Sequence, residues 1–498
     1  MTEPMPSSNP LLRRIEQRRT NPLREGVGQL RSSRELLQAL MNGPITPENV
    51  AEVPLEDRAL VIDQYNEIFV PTEQTLAIAI AMQDMLFAGL DRRDPRLKEN
   101  RQFIMRSAGL KGDRIEDVPL FERPEAPALG MLIEGITGTG KSVIAERVLG
   151  LFPQVIYRGP NPSCGWMALK QLVWLRVHMP SDGSRGGFLT GAFLELDRVL
   201  GTKYMEQYKN WTVERQLVIF LHLLSLHRCG LLVIEEAQQN ALSIHAPYGA
   251  EFLTFFLRLL NFGIPTTLIG NPLAFVRLHQ FSQDGCRFSE SGVFRLEPTM
   301  DHLSRDWASL WIGHLWKPTL LSEPDAPYQP VSKDPLDATL EGFIWKRTAG
   351  FPRFLARLRR EVQARALAEG LTQVTPELVD DVYRTSPKFA GIRPLIEAFV
   401  RKDHETAGGY KDIPGEDYKL MWKNALREDK GDESLAPHPA PAAPESVRRK
   451  RAKSATSSPK KAPAAPRKAA ADLSPADIRS KEFQKELCEQ LKEHVAMG

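Results

Sequence analysis

The eight residues 135–142, Gly-Ile-Thr-Gly-Thr-Gly-Lys-Ser, constrain this chain more than any other stretch. They fit the spacing GxxxxGK[ST]. An apolar run of strand length (MLIEG) enters them and a helical pattern (SVIAERVL) leaves them. Strand, glycine loop and helix in direct succession form the opening unit of a parallel α/β sheet. The glycines let backbone N–H groups turn inward with no Cβ in the way. The helix N-terminus adds its own positive partial charge. The pattern is that of a phosphate cradle, with Gly135, Thr137, Gly138, Thr139 and Gly140 shaping the loop. Lys141 is placed to neutralise the β- and γ-phosphates of ATP, and the Ser142 hydroxyl to ligate Mg²⁺.

The chain beyond this loop agrees with an α/β reading. Apolar runs of strand length recur as PQVIYR, QLVWLRVHM, GLLVIEEA, GIPTTLIGN and GVFRLEP. Helical stretches such as FLTGAFLELDRVLG, TVERQLVIFLHLLSLH and GAEFLTFFLRLLNF lie between them. That alternation predicts a mainly parallel sheet covered on both faces over residues 126–300. After Pro298 the strand pattern stops, and residues 301–405 read as a small helical domain with Gly370 and Pro376 between helices. Residues 1–125 are mixed: a basic arm containing NPLREGV, then helices with Ser33 and Thr72 as expected N-caps. Residues 406–472 form a linker rich in Pro, Ala and Lys, too poor in apolar residues to fold on its own. Residues 473–498 regain amphipathic spacing through Ile478, Phe483, Leu487, Leu491 and Val495, a short helix suited to a partner.

Two acids follow the four apolar residues of LLVIEE, which places them at the C-terminal end of a buried strand. Glu235 takes the magnesium-side position and Glu236 the position of a base for the attacking water. Glu235 is one methylene longer than the Asp more usual there, which leaves direct and water-bridged metal contact both open. The next strand ends at Asn271, suited to holding that water. Arg277 precedes the segment QFSQDGCRFSESGVFRLEP and Arg287 and Arg295 lie within it, and Arg287 is the choice for an arginine acting on a neighbouring subunit's γ-phosphate. Arg353 opens a long helix against the usual dipole preference, which points to an anion nearby.

Charge adds a restriction. The chain of 498 residues has a net charge of +3, yet residues 448–471 hold nine basic residues and no acid, leaving −6 on the rest. A nucleic-acid surface on the body must therefore be local. The four cysteines form no CxxC pair, which suits reduced thiols in the cytoplasm. No signal sequence and no run of about 18 apolar residues is present, so no membrane role is expected.

Loop, paired acids, polar strand end, arginine and GxxR-type lid helix follow one another in the order found in AAA+ ATPases. FPQVIYR, ELDRVLGTKY, GLLVIEEAQ, FGIPTTLIGNP, RPLIEAFVRKD and the NPLREGV arm resemble the TnsC family, regulators of heteromeric transposons related to TniB, over residues 10–405. The resemblance implies an AAA+ P-loop core with a helical lid, and a homo-oligomeric ring or filament assembled with ATP on target duplex DNA. It implies coupling of a TniQ- or TnsD-like target selector to a TnsA/TnsB-type transposase, the latter held by the C-terminal helix. It implies that Lys141, Ser142, Glu235, Glu236 and Asn271 act within one subunit, Arg287 across to the next and Arg353 from the lid. Family geometry puts DNA on interior loops, where Lys170, Arg176 and Arg185 are the candidates. Two other readings share the nucleotide motifs: a replication-initiator or clamp-loader-like DNA ATPase, and a scaffold that binds ATP without turnover. A C-terminal winged helix would favour the first, and the chain offers a linker there instead.

Overall fold

The computed structural model of the chain describes residues 9–108, 128–237, 256–276, 278, 282–322 and 327–428. The C-terminal helix, the linker beyond residue 428 and Arg277 lie outside them.

Five parallel strands make the central sheet: β1 (Gly130–Gly135), β4 (Trp174–His178), β5 (Leu231–Ala237), β6 (Thr266–Gly270) and β7 (Val293–Leu296), in the order β4-β5-β6-β1-β7. The connection leaving β1 runs one way across the sheet, to β4, and the connection leaving its neighbour β6 runs the other way, past β1 to β7. Such a switch point opens a crevice at the C-terminal ends of the strands. The acid-bearing strand β5 stands one strand away from β1, so Asn271, at the end of β6, falls between the glycine loop and the acids. Burial on both faces explains the continuous apolar runs. Leu231, Leu232, Val233 and Ile234 are all buried.

Helices α3 (Arg185–Leu200) and α4 (Val213–Leu226) close one face. Phe220 meets Phe188 and Phe193 edge-on at 6.2 and 6.1 Å, a favoured geometry for aromatic pairs. The sequence-based sheet needs one correction. QLVWLRVHM is two strands divided at Val173: β3 (Leu169–Leu172) turns back to pair antiparallel with β2 (Val155–Arg158), and only β4 joins the main sheet. The break follows from Val173, whose N–H bonds to the Gln154 carbonyl and whose own carbonyl accepts from Gly230.

The N-terminal region is not a free arm. Residues 21–27 dock on helix α1 (Glu73–Arg92): Leu23 is fully buried, Asn21 donates to the Leu90 carbonyl at 3.1 Å, and Arg24 grips Asp91 through bonds of 2.7 and 2.6 Å. Thr72 caps α1 as expected. The cap of the helix Ser33–Leu40 is Ser32 and not Ser33, because Ser32 has Glu35 three residues on. Glu35 accepts from the Ser32 N–H at 2.7 Å while the Ser32 hydroxyl accepts from the Glu35 N–H at 3.4 Å, a reciprocal box. Ser32→Ala is accordingly expected to cost about 1 kcal/mol in a denaturant melt and Ser33→Ala much less. Equal losses would argue against the box.

The helical region after β7 includes the long helix α5 (Pro352–Ala368), which packs on the turn-rich segment Leu55–Asn66. Buried Arg359 donates to the Pro318 carbonyl at 3.0 Å and lies 5.7 Å from the Tyr65 ring. The lid boundary expected at residue 405 falls inside folded chain. The helix His404–Gly408 and helix α6 (Gly415–Glu428) continue it, and Tyr418 and Trp422 meet Phe399 edge-on at 5.0 and 5.4 Å. The composition of residues 406–428 alone already differs from the Pro/Ala/Lys run that follows. Among the described residues no helix is long and apolar enough to cross a membrane.

Candidate functional site

A cleft of about 1300 Å³ opens at the C-terminal end of β1. Residues 137–142 form its floor, Glu236 and Asn271 one wall, and Arg353 the wall contributed by α5. The floor is built as its glycines predict. Gly138 and Gly140 adopt φ of +99° and +96°, a region that L side chains rarely enter. A Cβ at Gly140 would meet nothing within 4 Å, so its backbone faces open space. Thr139 turns inward and bonds the Ile136 carbonyl at 2.9 Å, which ties the loop to itself. Helix α2 (Lys141–Leu149) then starts directly beneath the cleft, with Gly140 as a cap that offers no side chain. Its first N–H groups are therefore available to an anion.

Lys141 folds back over the loop, donating to the carbonyls of Gly135 and Ile136 at 2.7 and 3.0 Å. Burial lowers its pKa to about 8, against the opposing pull of Asp412 and Glu235. A buried ammonium held so near neutrality gains strongly from an anionic partner.

The two acids divide. Glu235 is 1% exposed and its Oε2 accepts from Arg176 Nη2 at 2.9 Å. Its Oε1 is buried with no hydrogen-bond partner. Arg176 also faces Glu146 at 3.5 Å, so it belongs to this site and is not offered to an outside ligand. Glu236 is exposed toward the cleft and has φ of +55°. The β5–β6 register slips between Ile234 and Ala237, and this bulge tips Glu236 out of the ladder. Left-handed backbone at a residue other than glycine costs on the order of 1–3 kcal/mol, and such strain gathers at functional sites.

Asn271 uses its side-chain oxygen to accept from the Leu273 N–H at 2.9 Å and its amide to reach the Asp412 carbonyl. Arg353 joins the floor through its own N–H, which bonds the Gly138 carbonyl at 3.2 Å. Gly350 makes that approach possible: with φ of +72° it lies against the Thr299 backbone, where any side chain would collide.

Other expected residues stand elsewhere. Arg287 is exposed, bonded to Asn261 at 3.3 Å, with its backbone against Gly130. That is the opposite end of β1, about 17 Å from the loop at strand spacing. Arg295 is engaged by Glu297 and Asp417 at 2.6 and 2.8 Å. Lys170 donates to the Leu200 carbonyl at 2.5 Å, and Arg185 pairs with Glu214 at 2.5 Å. Arg176, the third of these basic residues, is likewise bonded within the chain, to Glu235.

The sequence reading missed three parts of the cleft. Arg357 and Arg360 continue the Arg353 row at helical spacing along α5, and both line the cleft. This was readable from FLARLRR. The wall formed by Tyr65, Asn66 and Phe69, and the Lys411–Asp412 turn, carry no motif and arrive through tertiary packing alone.

The residues fit a Mg²⁺ ion shared with phosphate. Ser142 lines the cleft, and Glu235, outside the lining but near enough to act on Lys141, keeps Oε1 as a buried acceptor without a partner. Among the described residues no group of three His, Cys, Asp or Glu side chains could hold a metal by itself. That suits Mg²⁺, which is commonly bound by few protein oxygens together with substrate phosphates.

Residues 126–278 match a protein-family model described as AAA domain. No curated protein matches the chain. Among solved structures, one described as Drosophila ORC bound to DNA is similar at 12% identity, over 66% of this chain and 78% of that one, with a TM-score of 0.31. A score that low does not establish a shared overall fold.

Proposed function

We propose that this chain is an ATPase of the AAA+ type that assembles with copies of itself on duplex DNA and regulates transposition in the manner of TnsC-like proteins. The AAA domain supports the nucleotide part. The observation that carries it is the convergence of Lys141, Glu236, Asn271 and Arg353 on one cleft from four separate segments. The motifs shared with the TnsC family support the transposition part.

In this reading the backbone of residues 137–142 holds the triphosphate, and Lys141 leaves its two carbonyls to neutralise the β- and γ-phosphates. Ser142 and Glu235 Oε1 would hold Mg²⁺, which when bound neutralises charge on the phosphate oxygens. Glu236, in a cleft and free of the ladder, takes the proton of the attacking water. Asn271 orients that water. Arg353 reaches the phosphates from the lid. Arg287 stands too far from its own cleft to serve it, which suits action on the next subunit. TniQ/TnsD-like and TnsA/TnsB-type proteins are the proposed partners, the latter through residues 473–498. Lys170, Arg176 and Arg185 do not carry the DNA part of the proposal.

Electron microscopy of the full chain with duplex DNA and a non-hydrolysable ATP analogue tests it. Rings or filaments that require both components are expected. A protein that stays monomeric and ignores DNA would sink the assembly reading. Assembly that fails to retain the transposase partner would instead favour a DNA ATPase of the replication-initiator kind.

A further inference from the structure

Residue 412 makes two contacts that the proposed reaction does not use. Its carboxylate Oδ2 accepts from the Thr137 hydroxyl at 2.8 Å, and its backbone carbonyl accepts from the Asn271 amide. Thr137 is the third residue of the glycine loop, and Asn271 ends the strand between loop and acids. One residue, some 270 positions along the chain from the loop, thus engages both a loop residue and the residue proposed to hold the attacking water. The turn that carries it is anchored on its far side. In α6, Asp417 pairs with Arg295 at 2.8 Å, and the Tyr418 hydroxyl bonds Glu297. Arg295 lies in β7, the strand beside β1.

We propose that Asp412 is an internal stand-in for the γ-phosphate, and that ATP, but not ADP, displaces the 409–414 turn from the glycine loop. This inference rests on the nucleotide reading of the cleft. Carboxylate and γ-phosphate are both anionic acceptors. They compete for the same donor, the Thr137 hydroxyl, and two anions at hydrogen-bond range of one donor repel each other. ADP ends one phosphate short, so both contacts survive it. A ligand shifts an equilibrium only by its differential affinity for the two states, and the γ-phosphate supplies that difference. The turn leads directly into α6 and then into residues 429–498. Its release would therefore report the nucleotide state to the C-terminal segment.

Amide hydrogen exchange on the full-length protein reads the turn without a mutation. Residues 409–428 are expected to exchange at least about tenfold faster with Mg-ATPγS than with Mg-ADP. Slower exchange with ATPγS, or equal exchange with both, overturns the proposal. Titration with fluorescent nucleotides gives the second measurement. Asp412→Ala is expected to tighten ATPγS by about tenfold, the value of a hydrogen bond to a charged group, and to leave ADP nearly unchanged. Asp412→Asn should fall between. Weaker ATPγS binding by Asp412→Ala would show the residue to be a positive ligand contact and overturn the stand-in. A wild-type chain that binds neither nucleotide would instead overturn the nucleotide reading itself.

Discussion

Lys141→Ala is expected to lower ATP affinity by at least about 100-fold and to abolish assembly on DNA with it. Hydrogen bonds to charged groups contribute about 1.5–3 kcal/mol each, and an ammonium between the β- and γ-phosphates makes more than one. Thermal unfolding with and without Mg-ATP checks this, since a ligand that binds only the folded state raises Tm. The rise should vanish in the variant, while the ligand-free Tm should hold or increase. Burial penalises the charge in the empty cleft, where the Lys141 pKa is lowered to about 8. A lysine depressed in this way destabilises the empty fold at pH values below 8, and that penalty fades as pH rises toward 10.5, its value in an unfolded chain. Binding runs in the opposite sense. The phosphates favour the protonated form, so affinity is full below pH 8 and declines above it. Affinity that is flat between pH 7 and 9.5 would place the phosphates elsewhere.

Glu236→Gln is expected to reduce steady-state phosphate release by about 10²–10⁴-fold, the usual contribution of a general base. Nucleotide affinity should change little, because the amide keeps the size of the carboxylate and the residue has no place in the cradle. Glu236 is well suited to such a clean separation. It is exposed at a bulge, held at φ of +55° by the ladder on either side, and outside the buried Glu235–Arg176 pair. The variant should therefore assemble and then fail to disassemble. Equal turnover by wild type and variant would identify some other base, and no turnover by either would favour the scaffold reading. Glu235→Gln should behave differently: it leaves Arg176 facing a neutral amide and alters the buried acceptor Oε1, so magnesium dependence should change with rate.

Much of this site was readable before any coordinates. Residues 135–142 carry their geometry in their composition, since glycines at positive φ, a lysine and a helix start leave few conformations open. The fully apolar LLVI run implied a strand covered on both faces, and its four residues are buried. What escaped was whatever depended on distant partners. Nothing in QLVWLRVHM marks Val173 as the break between two strands, because the break depends on Gln154 and Gly230. Arg176 reads as a basic residue near a loop until Glu235 is found 2.9 Å away. Ser32 and Ser33 differ only in which has Glu35 at the third following position, a local signal that could have been read. Asp412 has no such signal.

The folded stretch beyond residue 405 bears on how this protein can be divided. Phe351, Phe399, Tyr418 and Trp422 form one aromatic cluster that takes members from the lid and from α6. Arg295 and Glu297 also find partners in α6. A protein shortened at the compositional border near 428 keeps all of this. One shortened at 405 bares an aromatic surface, leaves Arg295 and Glu297 with only each other, and removes Asp412 from the glycine loop. The two truncations look interchangeable as ways of deleting a tail. Only the longer one retains the nucleotide cleft intact, so activities measured on the shorter one would describe a different switch.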